Sequence, residues 1–98
     1  MTERIYQKAF EASLKELNIP HVREQHVNLI FQNENIGSYF LDFVIDSKIV
    51  IELKVRSRLG YTHVKQVNSY LKSSGYKLAI IIYFTSEGVK YRRFINTV

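Results

Sequence analysis

The run "LAIIIYF" at positions 78–84 constrains the fold more than any other stretch of the chain. It is the longest uninterrupted apolar segment, and it falls far short of the roughly 20 residues that span a bilayer. Its β-branched residues lie at both odd and even positions, so as a strand it is apolar on both faces. Such a strand must be covered on both sides, and the covering material has to come from the rest of a 98-residue chain. Two amphipathic segments supply it. Thr2 opens a predicted helix running to about Asn18, with Ile5, Tyr6, Ala9, Phe10, Leu14 and Leu17 at helical spacing. Residues 61–75, "YTHVKQVNSYLKSSG", form the second, with Thr62 as the expected N-cap and Gly75 where a C-terminal cap belongs.

The remaining segments read as strands. "HVREQHVNLIFQ" (21–32) alternates in part, "NENIG" (33–37) has turn chemistry, and "VKYRRFI" (89–95) is a polar final strand. The predicted order is α-β-β-β-α-β-β. It implies one domain over residues 1–98, an α/β fold with a mixed sheet flanked by helices and a helical crossover after the third strand.

The stretch "YFLDFVIDSKIVIELKV" (39–55) reads as a hairpin, yet it carries Asp42, Glu52 and Lys54 among residues suited to burial. Leu41, Phe43 and Ile45 are expected on one face of its first strand, and Ile49, Ile51 and Leu53 on one face of its second. A three-residue loop, Asp46-Ser47-Lys48, aligns these sets with Ile45 opposite Ile49, Phe43 opposite Ile51 and Leu41 opposite Leu53. The same register sets Asp42 opposite Glu52, with Cβ atoms about 5 Å apart, and Lys54 on their face. Two carboxylates that close repel each other unless a cation lies between them. A hard divalent ion, Mg²⁺ or Mn²⁺, suits carboxylates and water as ligands. It would lower the pKa of bound water and offset charge on a phosphate. Lys54 could orient or deprotonate the attacking water and contact the phosphate. The competing reading is a solvent-exposed cross-strand salt bridge, the ordinary role of an acid and a lysine two residues apart.

On the second helix, His63, Gln66 and Tyr70 share a flank beside the apolar stripe of Val64, Val67 and Leu71. Gln66 is a candidate phosphate or water ligand, and its alternative is a polar rim position with Tyr70 at the core edge. His63 reads as a helix-start residue. Glu3 lies in the first turn of the first helix, where the helix dipole favours an acid, at the border of the apolar stripe.

Charge adds a partner. Residues 1–53 hold five Lys/Arg and eight Asp/Glu, whereas residues 54–98 hold nine Lys/Arg and one acid. A basic half favours a polyanion, nucleic acid first. The chain has no cysteine, which excludes disulfides and thiolate zinc sites and suits the cytoplasm. Its N-terminus has no apolar segment of the secretory type.

Together these residues resemble the PD-(D/E)XK nuclease superfamily, and within it the small GxxExxY group. "ERIYQKAFEASLKELNIP" is similar to that group's Glu-x-x-Tyr helix, with Glu3 and Tyr6 on the named positions. "FLDFVIDSKIVIELKV" resembles its Asp strand and Glu-x-Lys strand, and "THVKQVNSYLKSSGYKLAIIIYF" its His-x-x-Gln-x-x-x-Tyr-Leu helix and following strand. The resemblance implies a restriction-endonuclease-like core and Mg²⁺- or Mn²⁺-dependent phosphodiester hydrolysis. It implies Asp42 and Glu52 as metal ligands, Lys54 as catalytic lysine, and Gln66 and Glu3 as accessory residues. Arg56, Arg58, Lys65, Arg92 and Arg93 are candidates for holding the nucleic-acid backbone, DNA ahead of RNA. The alternative is a catalytically silent nucleic-acid-binding or interaction module on the same fold. Leu41 stands where the superfamily name has proline, and the group's leading glycine and preceding helix are absent from the sequence. An apolar face left exposed there would favour a homodimer.

Overall fold

A computed structural model describes residues 2–56 and 60–96. The elements run α1 (Glu3–Glu16), β1 (His21–Phe31), β2 (Glu34–Ile45), β3 (Ile49–Val55), α2 (Tyr61–Ser74), β4 (Leu78–Thr85) and β5 (Gly88–Ile95). This is the order expected from the sequence. The five strands form one mixed sheet in the order β1-β2-β3-β4-β5. β3 and β4 are parallel and joined through α2, and the other neighbours are antiparallel.

The two helices cover different parts of the sheet. Under α2 lie Val27, Leu41, Val44, Val50, Ala79, Ile81 and Phe94, packed with Val67, Tyr70 and Leu71 of the helix. On the other face Phe43, Ile51 and Leu53 pack with Leu14 of α1 and with Phe10. β4 serves both: Ala79 and Ile81 join the first cluster, and Ile80, Ile82 and Phe84 the second. The apolar run is thus covered on both faces for the reason its composition demanded. Of the stripe expected on α1, Leu14 is buried, Phe10 meets Phe43 edge to face at 5.0 Å and Tyr6 stacks on Phe84 at 3.9 Å. Ile5 and Leu17 stay exposed.

Local chemistry explains the boundaries, with two corrections. The first strand pair turns at Gln32 and Asn33, both at positive φ, a two-residue reversal that follows the strand twist. Glu34 onward is already β2, so most of "NENIG" is strand. α2 starts one residue before Thr62, with Gly60 at the N-cap position. Gly75 ends it at φ 79°, its N–H donating to the Leu71 carbonyl at 3.0 Å, the left-handed cap a glycine adopts without steric cost.

The β2–β3 turn follows its expected register: Ile45 pairs with Ile49 and Phe43 with Ile51. There the ladder stops, and the expected pairs Asp42–Glu52 and Leu41–Leu53 do not form. The cause is a change of face. On β1, His21 and Arg23 reach Glu11 of α1, whereas Gln25 bonds Tyr76 and Val27 packs under α2. On β2, Phe43 and Ile45 pack toward α1, whereas Leu41 and Tyr39 pack toward α2. The β1–β2 ladder skips the Glu24 and Asp42 positions, and Glu24 adopts φ 53°. Both strands therefore pivot at this pair, and Leu41 does not share a face with Phe43. Beyond the pivot, β1 and β2 continue as a two-stranded arm with Ile30, Phe31, Ile36 and Phe40 exposed.

Candidate functional site

Asp42 stands at the pivot, where β2 parts from β3. The ladder hydrogen bonds lost there are replaced by side chains. The Asp42 N–H donates to Glu52 Oε2 at 2.8 Å, and the Leu53 N–H donates to Asp42 Oδ2 at 2.9 Å. Each carboxylate thus closes a gap in the backbone of the opposite strand. Backbone amides that would otherwise be unsatisfied are paired, and the two acids are drawn together without a cross-strand pair. The expectation that they meet holds; the means by which they meet is different.

Glu52 follows Val50 on the α2 side of β3 and is only 1% exposed. Burial and the neighbouring Asp42 charge push its carboxyl up to about 8, against the opposing influence of the Asp42 amide, the Tyr39 hydroxyl and Lys54. A carboxyl in this position is poorly solvated when charged. Tyr39 lies on the α2 face of the arm with its ring stacked on Tyr70, centroids 3.9 Å apart and planes 12° from parallel. Burial, followed by the Glu52 charge, pushes the Tyr39 hydroxyl well above its usual range, so it stays protonated and donates toward Glu52. Tyr70 is raised for the same two reasons.

Lys54, two residues along the same face, is half-buried and reaches Glu3 at the start of α1, with Nζ to Oε1 at 3.9 Å. The N-terminal turns of both helices therefore converge at the end of β3. His63, in the first turn of α2, lies near Arg56, Lys54 and Glu3. Its imidazole is held below the ordinary value by burial first, then by the Arg56 and Lys54 charges, with Glu3 opposing. Reading His63 as a helix-start residue located it correctly but missed its electrostatic contact with the basic end of the site. Its i, i+3 relation to Gln66 was the available signal. Tyr39 was missed because a tyrosine in an apolar strand reads as core.

The other candidates are more dispersed. Gln66 is exposed one turn along α2. Arg56 is exposed at the end of β3. Lys65 lies over the Tyr61 ring at 5.4 Å, on α2. Arg92 lies over Phe94 at 5.4 Å on the α2 side of β5. Arg93 pairs with Ile80 and alternates to the opposite face. Arg58 lies outside the described residues.

The donor set suits a hard divalent cation. It offers two oxygen-bearing side chains whose mutual repulsion an ion would relieve. Among the described residues no group of three or more His, Asp or Glu side chains is arranged to hold a metal. The two carboxylates would therefore be completed by water and backbone carbonyl, the pattern Mg²⁺ accepts.

Comparison with known proteins bears on the fold and the family. No curated protein matches the chain in sequence. Among solved structures, SSO0001 superposes with a TM-score of 0.70 at 22% identity, over 97% of this chain and 50% of that one. LHK-Exo in complex with dAMP gives 0.71 at 9% identity, over 95% and 55%. The alkaline exonuclease LHK-Exo from Laribacter hongkongensis, in a further structure, gives 0.60 at 8% identity, also over 95% and 55%. The chain spans about half the length of these proteins, and the likeness establishes a restriction-endonuclease-like fold. Among the described residues no helix is long and apolar enough to cross a membrane. The sequence of residues 1–94 matches the family described as the PD-(D/E)XK nuclease superfamily, and the chain belongs to it.

Proposed function

We propose that residues 1–98 act as one divalent-metal-dependent nuclease domain that hydrolyses phosphodiester bonds of nucleic acid, with DNA ahead of RNA. The observation that carries this reading is the interlock of Asp42 and Glu52, two acids held together at 2.8 and 2.9 Å by each other's strands. A fold with no use for a cation gains little from burying Glu52 beside a second carboxylate.

Asp42 and Glu52 would hold Mg²⁺ or Mn²⁺. When bound, the ion supplies an activated water and neutralises charge on the phosphate. Lys54, at the mouth of the site, contacts the scissile phosphate and orients the attacking water, and its pairing with Glu3 keeps the ammonium aimed across the end of β3. Arg56 and His63 line the same end and would meet the flanking backbone. Gln66 is an accessory phosphate ligand on the adjacent flank of α2. Lys65 and one of the oppositely directed pair Arg92 and Arg93 extend the basic path. A homodimer would cover the exposed Ile36 and Phe40, which share one face of the arm.

The deciding experiment incubates labelled single- and double-stranded DNA and RNA with the protein in Mg²⁺ or Mn²⁺. Cleavage that EDTA and Lys54→Ala both abolish is expected. Salt-sensitive binding in EDTA with no cleavage under any metal would replace the enzyme with a silent binding module.

A further inference from the structure

One hydrogen bond does not fix a glutamate. Glu52 Oε2 accepts the Asp42 N–H, but the side chain has three rotatable bonds, and a ligand carboxylate must also keep the plane of its second oxygen. The fold provides a device for this outside the two acidic strands. Tyr39 lies three residues before Asp42, on the arm where β2 has no β3 partner. Its backbone is therefore held on one side only, by β1 through the Val27 pair. What fixes its ring is α2: Tyr70, buried in the core, stacks on it face to face at 3.9 Å. The hydroxyl of the ring so clamped is directed at Glu52.

We propose that Tyr39 is a positioning residue of the acidic site, clamped by Tyr70 so that its hydroxyl holds the Glu52 carboxylate in the orientation that binds a divalent cation. This rests on the metal-dependent reading above and adds to it a residue that neither the acid pair nor the lysine requires. The chain of contacts α2–Tyr70–Tyr39–Glu52 also ties the arm to the site. Partners that orient a metal ligand from outside the coordination shell typically change metal affinity by about 10–100-fold when removed.

Mn²⁺ alone is the probe, titrated into the full chain and followed by the electron paramagnetic resonance of the free ion. Tyr39→Phe keeps the ring and its stack but removes the hydroxyl. It is expected to bind Mn²⁺ about 10-fold more weakly, with a metal-free melting temperature within a few degrees of the parent's. Its cleavage activity should return toward the parent's at saturating Mn²⁺. Tyr70→Phe, which keeps the stack and leaves the Tyr39 hydroxyl in place, should bind Mn²⁺ as the parent does. Parent-like Mn²⁺ affinity in Tyr39→Phe would overturn the role of Tyr39 while leaving the metal site standing. A parent protein that binds no Mn²⁺ would overturn both. Should Tyr39→Phe fail to fold, the parent's tyrosine ultraviolet difference spectrum decides: Mn²⁺ should perturb it, and a flat spectrum on saturation would count against Tyr39.

Discussion

The backbone amide of Asp42 donates to the carboxylate of Glu52, and in return the Asp42 carboxylate accepts the amide of the residue after Glu52. The acids are therefore structural where the ladder ends and electrostatically opposed to each other. Asp42→Asn separates these roles, because the amide oxygen can still accept the Leu53 N–H while the charge is gone. Without metal, Asp42→Asn should melt higher than the parent at neutral pH, at about 4–8 °C per kcal/mol for a domain of this size. Asp42→Ala should melt lower than Asp42→Asn, since it leaves the Leu53 N–H unpaired at a cost of about 1–3 kcal/mol. Both should lose any Mn²⁺-induced rise in melting temperature. Thermal melts with and without Mn²⁺ check this.

Stability without metal should depend on pH through Glu52. Its folded value lies near 8, above its ordinary 4.5. A carboxyl raised on folding contributes stability that is fully present below the unfolded value and is lost as pH rises through the folded one. Glu52 should thus lower the metal-free melting temperature progressively between about pH 4.5 and pH 8. Glu52→Gln should flatten that decline, and melts across this range in a chelating buffer test it. Mn²⁺ affinity should run the other way, strengthening toward pH 8 as the ion no longer competes with the Glu52 proton.

Lys54→Ala should lower the cleavage rate by about 10²–10⁴-fold, the usual range for a positioned proton-handling or charge-stabilising group, while the Mn²⁺-induced melting shift persists. Glu3→Gln, which keeps the α1 turn but releases Lys54 from its 3.9 Å partner, should cost less than Lys54→Ala. Single-turnover rates at saturating metal separate the two.

Binding should follow the basic end of the site. Arg56→Ala should reduce the slope of log affinity against log salt by about 0.7–0.9, one phosphate contact. Arg92 and Arg93 lie on opposite faces of β5, so only one of the two alanine variants should change the slope. Equal changes from both would mean that nucleic acid wraps the β5 edge.

The sequence carried the element order, the Ile45–Ile49 and Phe43–Ile51 register and the meeting of Asp42 with Glu52. Apolar alternation and a three-residue loop determine that register locally, whereas Asp42 and Glu52 meet through backbone amides and not through the cross-strand pair the alternation implied. It did not carry the pivot at Glu24 and Asp42. Leu41, Asp42 and Phe43 alternate without interruption, and a glutamate gives no warning of a positive φ. The change of face is imposed by two helices that cover different regions of one sheet, a tertiary cause. The Tyr39–Tyr70 stack was hidden for the same reason, since it joins an arm and a helix 31 positions apart in sequence. Glu3 was legible as a dipole-favoured acid and, through the family resemblance, as an accessory residue, but its pairing with Lys54 depends on where α1 ends up.

Diffraction from crystals soaked in Mn²⁺, collected for anomalous signal, tests the central claim most directly. A manganese peak within about 2–2.5 Å of oxygens from both Asp42 and Glu52 is the predicted result. Absence of manganese there at saturating concentration, with the two carboxylates still bonded to the amides of Leu53 and Asp42, would contradict it.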